Sequence, residues 1–281
     1  MFKIVDKKQL TPLIYSLWVE APRIAASAKP GQFLIVRTGE NGERIPLTIC
    51  DYDTEKGTVR IVVQIAGVSS NKICHLDVGD CLTDVAGPLG KPSDFMEIPE
   101  EDLKGKRYLF VAGGVGSAPV YPQAKYLHER GAHVDVIIGA RNKDLIIMED
   151  EMHNVCTNLY ICTDDGSKGE KGVVTLLMER LGNKYDMCVA IGPMIMMKFA
   201  TLTAKKLELP ITVSLNTLMV DGTGMCGACR VSVAGKTKFA CVDGPEFNGY
   251  DVDFDEALRR QTLYRTQEQQ ANSETGLEFR R

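Results

Sequence analysis

The sequence predicts a multidomain chain with an all-β barrel, an α/β domain with a parallel sheet, and a small C-terminal domain. Three observations lead to this prediction. Strand-like segments separated by turns fill the first ~95 residues, strands and helices alternate from Lys106 onward, and a loop rich in glycine and cysteine begins at Asp221. A length of 281 residues suits two or three domains, with expected limits of 1–98, 99–215 and 216–281.

The first domain is expected to hold short strands rich in β-branched and aromatic residues. Turn signals such as Lys29-Pro-Gly31 separate the strands. Strands at this spacing favour a closed barrel, because closure leaves no unpaired sheet edge. The segment Lys91–Gly105 carries two prolines and is interpreted as a linker. The expected strands are Phe2–Val5, Ile14–Val19, Phe33–Arg37, Ile45–Cys50, Thr58–Gln64 and Cys81–Val85.

In the second domain, buried strands alternate with helical segments, which favours a parallel sheet flanked by helices. The expected strands are Tyr108–Ala112, Val134–Gly139, Leu159–Thr163, Met187–Ile191 and Ile211–Ser214. The expected helices are Ala118–Arg130, a short one near Leu145–His153, Val173–Leu181, and Met194–Leu207.

The third domain is expected to add a short hairpin and one helix to the glycine- and cysteine-rich loop. Arg230–Ala234 and Lys238–Cys241 flank a glycine turn, and Asp253 is a plausible N-cap for a helix through about Tyr264. The polar segment Arg265–Arg281 is expected to be either mobile or docked on a partner.

Composition excludes several classes of partner. A net charge of −4 suggests neither nucleic acid nor an anionic membrane, and no apolar run approaches the ~18 residues of a membrane span. The N-terminus begins as a strand and shows no signal peptide. Six of the nine cysteines are scattered, mostly in apolar stretches, and indicate reduced core residues of a cytoplasmic protein: Cys50, Cys74, Cys81, Cys156, Cys162 and Cys188.

The loop from Asp221 to Cys241 predicts an iron–sulfur cluster. Asp221, Cys226, Cys229 and Cys241 are separated by four, two and eleven residues. Plant-type two-iron clusters use cysteines spaced by four and two residues, followed by a distant fourth. Thiolates suit iron, and the glycines of this loop allow a tight turn. An aspartate in the first position is a harder ligand than cysteine, and a structural zinc site remains an alternative for the same four residues.

Two glycine turns in the α/β domain predict a nucleotide site. Each ends a strand and opens a helix, whose N-terminus favours a phosphate. The first is a Gly-x-Gly-x-x-Pro variant of the dinucleotide fingerprint. Because ligands of such sheets lie beyond the carboxyl ends of the strands, both turns should face one crevice. The residues are Gly113, Gly114, Gly116, Ala118 and Pro119 in the first turn, and Gly192, Pro193 and Met194 in the second.

The barrel carries two further candidate phosphate contacts. Arg44, beside the segment Pro46-Leu47-Thr48, can pair with a phosphate through two hydrogen bonds. Ser69 and Ser70 follow the strand that ends at Val63 and Gln64, and their hydroxyls suit a second contact. Two such contacts before a separate nucleotide domain suggest two nucleotides.

Barrel, nucleotide domain and ferredoxin-like loop, in this order, resemble the ferredoxin–NADP reductase superfamily. More narrowly, the whole chain looks like the electron-transfer subunits of dihydroorotate dehydrogenase type B. The resemblance implies that Arg44 to Thr48, the strand end at Val63 and Gln64, and the turn at Ser69-Ser70 bind FAD, with Leu47 where many members carry tyrosine. It also implies that the two glycine turns bind the nicotinamide coenzyme.

Asp221 in place of the first cysteine, and the ending Cys241-Val-Asp-Gly-Pro-Glu-Phe, resemble the small subunits of NADH-dependent reduced ferredoxin:NADP oxidoreductases. That resemblance implies FAD, a [2Fe-2S] cluster and reaction with NAD(H). It further implies a large flavin and iron–sulfur partner subunit, in a heterodimer or larger assembly that bifurcates electrons and reaches ferredoxin indirectly. Hydride would pass between NADH and FAD, and single electrons would pass through the cluster, so no side chain is nominated as a catalytic acid or base.

Two arguments about the coenzyme disagree, one favouring NADP(H) and the other NAD(H). Arg141 follows the second strand of the α/β domain, where an arginine can hold the 2′-phosphate of NADP. The family resemblance favours NAD(H), which is the expectation adopted, with NADP(H) possible. Two other functions stay open: the electron-transfer subunit of a dihydroorotate dehydrogenase, and a zinc-stabilised nucleotide-sensing module without catalytic activity.

Overall fold

The computed structural model describes residues 2–40 and 42–276, and its N-terminal part is a seven-stranded antiparallel sheet. The strand order is β6-β1-β2-β5-β4-β3-β7. Only Thr83 separates edge strand β6 from edge strand β7, so the two ends of the sheet meet and the barrel is nearly closed. The strands are β1 (Phe2–Thr11), β2 (Ile14–Glu20), β3 (Phe33–Arg37), β4 (Ile45–Asp53), β5 (Thr58–Gln64), β6 (Cys81–Leu82) and β7 (Asp84–Leu89), with short helices α1 (Pro22–Ala25) and α2 (Val68–Cys74).

The predicted barrel is confirmed, with two differences in its strands. β1 runs on to Thr11 because it pairs with β2 through two register shifts, and these break the alternation of apolar and polar residues. The expected strand Cys81–Val85 is divided in two, since its first half pairs with β1 and its second half with β3.

The α/β part is a second seven-stranded sheet in the order β11-β10-β9-β8-β12-β13-β16. All pairs in it are parallel except β13 with β16, which confirms the predicted parallel sheet. Its strands are β8 (Arg107–Gly113), β9 (His133–Ala140), β10 (Asn158–Thr163), β11 (Glu170–Lys171), β12 (Met187–Ile191) and β13 (Ile211–Ser214). Its helices are α3 (Glu100–Leu103), α4 (Ser117–Glu129), α5 (Glu149–His153), α6 (Val174–Leu181) and α7 (Met194–Lys206).

The C-terminal part returns to the α/β sheet after leaving it. β14 (Arg230–Val233) and β15 (Lys236–Phe239) form the expected hairpin, and α8 (Ala240–Asp243) follows. β16 (Glu246–Asn248) then pairs with β13, a return that the sequence did not predict. Helix α9 (Phe254–Arg260) is capped by the Asp253 carboxylate, as expected. The polar tail forms helix α10 (Arg265–Glu274), and residues 277–281 lie outside the described residues.

Three apolar interfaces hold the parts together, and in one of them Val231, Phe254 and Ala257 of the C-terminal part join the core of the α/β domain. Between barrel and α/β domain, Cys50 packs with Ala118 and Met148, beside an ion pair of 3.0 Å between Arg60 and Glu151. Between barrel and C-terminal loop, one buried cluster joins both sides: Phe33, Ile35, Met219, Cys229, Ala240 and Cys241. The C-terminal loop is therefore fixed on the barrel. Among the helices of residues 2–40 and 42–276, none has the length and apolar character needed to span a membrane.

The scattered cysteines are free thiols, and all but the half-buried Cys81 are buried. Burial raises the pKa of the Cys50 thiol to about 12 and that of Cys188 still further. Thiols in this state are poor nucleophiles, in agreement with their prediction as core residues.

Candidate functional site

The loop between β13 and β14 is shaped by three glycines. Gly222, Gly224 and Gly227 have φ angles of +82°, +86° and +67°, in the left-handed region that other residues rarely adopt. A Cβ at Gly222 would also lie 2.7 Å from Cγ1 of Ile35, on barrel strand β3. The glycines thus give the loop its curvature and let it lie directly on the barrel.

The loop and the segment after the hairpin bring the three predicted thiol ligands into one region. Cys229 and Cys241 are buried with their sulfur atoms 3.2 Å apart, whereas Cys226 is exposed. Hydrogen bonding to the backbone N–H of Ala228 lowers the pKa of the Cys226 thiol. Burial and the neighbouring Cys229 raise the pKa of Cys241 to about 12. Iron would have to displace the protons of the buried thiols, as metal binding to cysteine generally does.

Asp221 is held by its own loop. Its Oδ2 atom accepts hydrogen bonds from the backbone N–H of Thr223 at 2.9 Å, the Thr223 hydroxyl at 2.6 Å and the backbone N–H of Met225 at 3.1 Å. These bonds lower the pKa of the carboxyl, so the group is ionised at neutral pH. All three bonds fall on Oδ2, which leaves Oδ1 of an ionised and oriented carboxylate for a ligand.

Three of the four predicted ligands are cysteines, and thiolates are the ligands that iron–sulfur clusters use. Within residues 2–40 and 42–276, no three His, Cys, Asp or Glu side chains are gathered closely enough to hold one metal ion.

Arg44 connects the barrel to this loop. Its Nε donates to the Val220 carbonyl at 2.8 Å, and one terminal nitrogen donates to the Asp221 carbonyl at 3.3 Å. The residue predicted to contact a flavin phosphate thus holds the backbone of the loop that carries the predicted cluster ligands. Sequence reasoning missed this contact, because nothing in the sequence pairs two residues that lie 177 positions apart.

The other predicted flavin contacts of the barrel strands divide between two faces. Leu47 packs against the barrel core with Ile45, so Pro46 and Thr48 lie on the other face of β4. On β5, Val63 is buried in the core while Gln64 is exposed. The side chains free to meet a ligand are therefore those of Pro46, Thr48 and Gln64.

At the predicted flavin-phosphate turn of α2, a carboxylate from the segment before β4 contacts the turn, which the sequence did not predict. The Ser69 hydroxyl donates to Glu43 in a short hydrogen bond. The Ser70 hydroxyl accepts the backbone N–H of Gly67 at 3.0 Å and so caps the helix. In this structure the Ser69 hydroxyl is therefore engaged with a carboxylate, and whether it contacts a flavin phosphate stays a prediction. Asn272 of α10 also lies here, with its Oδ1 3.8 Å from the position of a Cβ on Gly67.

The two glycine turns of the α/β domain contact each other. A Cβ at Gly116 would lie 2.2 Å from the Ile191 carbonyl oxygen, and one at Gly192 would lie 3.0 Å from Cα of Gly113. Both turns lie at the carboxyl ends of adjacent parallel strands, as the expectation of one shared crevice requires. A Cβ at Gly113 would meet Pro193 at 2.9 Å, so glycine is needed there for close approach.

The remaining predicted coenzyme residues have different surroundings. Ala118 and Met194 are buried in the packing around the turns, whereas Pro119 is half-buried. Arg141 is exposed after β9, at the same edge of the sheet, and its carbonyl accepts the backbone N–H of Asp165 at 3.2 Å. Arg141 is thus placed beside the crevice with an acidic neighbour.

Comparison with known proteins gives one family. Residues 216–253 match the iron–sulfur cluster binding domain of dihydroorotate dehydrogenase B. A homologue of the dihydroorotate dehydrogenase B (NAD(+)) electron transfer subunit from Thermotoga maritima is 48% identical over 95% of this chain and 92% of its own. The electron transfer subunit of that enzyme from Streptococcus pneumoniae is 32% identical over 87% of this chain and 94% of its own.

One solved structure is similar over almost the whole chain. It is a chain from the NADH-dependent reduced ferredoxin-NADP oxidoreductase, described as giving insight into flavin-based electron bifurcation. The identity is 45%, the TM-score is 0.89, and 98% of each chain is covered. These similarities confirm the expected class, an oxidoreductase electron-transfer subunit with an iron–sulfur domain. The chain belongs to the family of dihydroorotate dehydrogenase B electron transfer subunits and their homologues.

Proposed function

We propose that this chain is the small electron-transfer subunit of a flavin-based electron-bifurcating oxidoreductase that uses NADH, NADP and ferredoxin. The observation that carries the proposal is the cluster loop, in which three cysteines and an oriented aspartate replace the usual four cysteines. The similarity to a chain of NADH-dependent reduced ferredoxin-NADP oxidoreductase supports the same conclusion.

FAD, NAD(H) and a [2Fe-2S] cluster are the proposed cofactors and substrate. When bound, FAD exchanges hydride with NAD(H), and the cluster moves one electron at a time; this chemistry belongs to the cofactors. The protein contributes position and charge. Cys226, Cys229, Cys241 and Oδ1 of Asp221 are the proposed iron ligands.

The proposed FAD contacts lie along one side of the barrel. The exposed face of β4, the end of β5 and the hydroxyls at α2 would receive the flavin, and Arg44 fixes the adjacent cluster loop through two carbonyl oxygens. Because a guanidinium can also pair with a phosphate, Arg44 is proposed to link both sites. The proposed contacts are Arg44, Pro46, Leu47, Thr48, Val63, Gln64, Ser69 and Ser70, with Leu47 and Val63 acting through backbone atoms.

The coenzyme is proposed to bind across Gly113–Pro119 and Gly192–Met194. NADH remains the proposed coenzyme, with Arg141 as the residue that would admit NADP. Comparison of kcat/KM for both coenzymes, in the wild type and in Arg141→Ala, tests this choice. A strong preference for NADPH that disappears in the variant contradicts it.

A large subunit with its own flavin and iron–sulfur clusters is the proposed partner. Ferredoxin would then be reached only indirectly, through that subunit. We also propose a cytoplasmic location, because the six free cysteines outside the cluster loop suit a reducing compartment.

The second candidate is the electron-transfer subunit of a dihydroorotate dehydrogenase, favoured by the identity of 32% to such a subunit. Anaerobic co-purification from the native host distinguishes the two. A large iron–sulfur flavoprotein that co-elutes with the chain supports the bifurcating complex. A dehydrogenase that contains flavin mononucleotide and oxidises dihydroorotate overturns it.

A further inference from the structure

Glu246 lies where all three parts of the chain meet. It is the first residue of β16, five positions after Cys241. The hydroxyl of Ser93, in the segment after the barrel, donates to its Oε1 at 3.1 Å. The side-chain amide of Gln123, in α4, donates to the same oxygen at 2.7 Å. One carboxyl oxygen therefore joins the barrel, the α/β domain and the cluster-bearing segment.

The backbone around Glu246 is tied down as well. The Gly244 carbonyl accepts the N–H of Lys91 at 2.6 Å, and the Pro245 carbonyl accepts the N–H of Leu215 at 3.0 Å. A Cβ at Gly31 would lie 2.5 Å from the Ser93 hydroxyl, so glycine lets the barrel loop close over this junction. The segment after Cys241 is thus pinned at the junction, with Glu246 as its polar centre.

Gln123 leaves one hydrogen-bonding atom unexplained. The residue is fully buried, and among the described residues none donates a hydrogen bond to its side-chain oxygen. A buried carbonyl without a donor is costly. A carboxyl group that carries a proton would supply the missing donor, because an amide and a carboxylic acid form two hydrogen bonds with each other.

The charges around Glu246 also favour the protonated acid. Of the charged groups described, the one that acts on it is the carboxylate of Asp94, a like charge, while Ser93 and Gln123 are neutral. No cation among the described residues forms an ion pair with it. Burial raises the pKa of Glu246 to about 7, against its ordinary 4.5, and Asp94 adds to the rise while the two hydrogen bonds oppose it.

We propose that Glu246 is a positioning residue that carries a proton and pairs reciprocally with Gln123, pinning the segment behind Cys241 to the helix that opens at the nucleotide turn. Gln123 donates to Oε1, and the Glu246 hydroxyl donates to the Gln123 oxygen. Loss of the proton leaves a buried charge on Glu246 and an unpaired amide oxygen on Gln123, so the contact between β16 and α4 weakens.

The dependence on pH has a definite sign. Since the pKa is higher in the folded chain than in the unfolded chain, the folded chain binds more protons between about pH 4.5 and about pH 7. Glu246 therefore lowers the free energy of unfolding as the pH rises through this window. Above about pH 7, the free energy of unfolding stays at this lowered value with respect to Glu246.

Infrared difference spectra of the holoprotein, taken between about pH 6 and pH 8.5, test the proton directly. The wild type should lose a protonated-carboxyl C=O band on the alkaline side. Glu246→Gln should lack this band, while Glu97→Gln should keep it, since Glu97 is an exposed residue of the same linker. A wild-type spectrum without the band, or one that Glu246→Gln leaves unchanged, overturns the proposal.

Thermal unfolding gives a second readout that does not depend on activity. Between about pH 4.5 and about pH 7, the unfolding midpoint of the wild type should fall by several degrees relative to that of Glu246→Gln. The variant keeps a neutral amide pair with Gln123 at every pH. Gln123→Leu removes that pair and should unfold earlier at acidic pH than the wild type. Parallel pH profiles for the wild type and Glu246→Gln contradict the proposal.

A third readout rests on the proposed function. In rapid mixing with NADH, Gln123→Leu should slow the reduction of the cluster by several fold while flavin reduction stays near the wild-type rate. Equal slowing of both steps, or of neither, contradicts a role in positioning the cluster segment. If no NADH-dependent reduction occurs at all, the proposed function fails, while the infrared and unfolding results still decide the protonation of Glu246.

Discussion

The cluster loop and the nucleotide turn are both rich in glycine, but they need glycine for different reasons. In the cluster loop the glycines have φ angles between +67° and +86°, so backbone conformation excludes other residues. In the nucleotide turn Gly116 has an ordinary φ of −60°, and what excludes a side chain is the Ile191 carbonyl, 2.2 Å from a Cβ. All three glycines of the cluster loop are required by their backbone angles, whereas at Gly116 the contact of two turns is what excludes a side chain.

The two loops also differ in the groups that they would offer to a ligand. In the proposed site, the bend of the cluster loop would let thiols and a carboxylate surround iron. The nucleotide turn would bring backbone without side chains close to the coenzyme. The largest loss of function is therefore expected when a proposed iron ligand is replaced. Replacing a glycine in close contact with backbone should have a smaller effect, and replacing a glycine with a positive φ a smaller one still.

The largest effect is expected for Cys226→Ala. The thiol is exposed, so its removal creates no cavity, but it takes away one of three thiolate ligands. Most of the bound iron and sulfide should be lost, as measured by metal analysis and visible absorbance after anaerobic reconstitution. Cys81→Ala, which removes a half-buried cysteine outside the loop, should retain full iron content. Full iron content in Cys226→Ala would remove this residue from the ligand set.

Gly116→Ala should weaken both coenzyme binding and folding. The added methyl group collides with the backbone of the second turn, which cannot move without shifting β12. The expected loss is about 1–3 kcal/mol of the free energy of unfolding, with a tenfold or larger rise in the KM for NADH. Gly114→Ala is the comparison, because its Cβ would meet no atom within 4 Å and its cost is limited to the backbone strain of a φ of +55°. Equal KM values in the two variants would show that contact between the turns does not shape the site.

Gly224→Ala should have a smaller effect, confined to the cluster loop. At a φ of +86° an alanine costs about 1–2 kcal/mol, and its Cβ would press on Val242 at 3.2 Å. Iron content should fall in part. Gly235→Ala carries a similar backbone cost at +71° in the hairpin turn, where no atom lies within 4 Å. Chemical denaturation and iron analysis of both variants separate strain at the cluster from strain elsewhere.

Arg44→Gln should have the smallest effect on stability, below about 1.5 kcal/mol, because the loop has other contacts with the barrel. The loss of two hydrogen bonds to the cluster-loop backbone should nevertheless broaden the EPR signal of the reduced cluster and loosen FAD. Arg37→Gln, which removes the barrel ion pair with Asp84 but neither hydrogen bond to the loop carbonyls, should change neither. A normal EPR signal in Arg44→Gln would show that Arg44 does not order the loop.

The regular elements were predictable because each has its own local pattern. β8, β9 and β12 are short apolar runs, and α6 and α7 follow turn residues, so sequence alone indicated the alternation of strands and helices. The iron–sulfur domain was predictable because the spacing of the cysteines, with four and then two residues between candidate ligands, is itself the pattern.

The missed features are contacts between residues that lie far apart in the sequence. The return of β16 to the sheet, the bonds from Arg44 to the cluster loop, and the junction at Glu246 each join segments more than 30 positions apart. Helix α10 was missed for another reason: it is polar on all sides, so it has no apolar period to reveal it.

In the proposed function, electrons pass from NADH through FAD to a cluster on the loop from Asp221 to Cys241. Visible and EPR spectra of the anaerobically purified chain, before and after addition of NADH, test this electron path. We expect flavin bands with an iron–sulfur shoulder, bleaching of both by NADH, and the EPR signal of a reduced two-iron cluster. A colourless chain with one zinc ion would contradict the path, as would a flavin that NADH bleaches without any cluster signal.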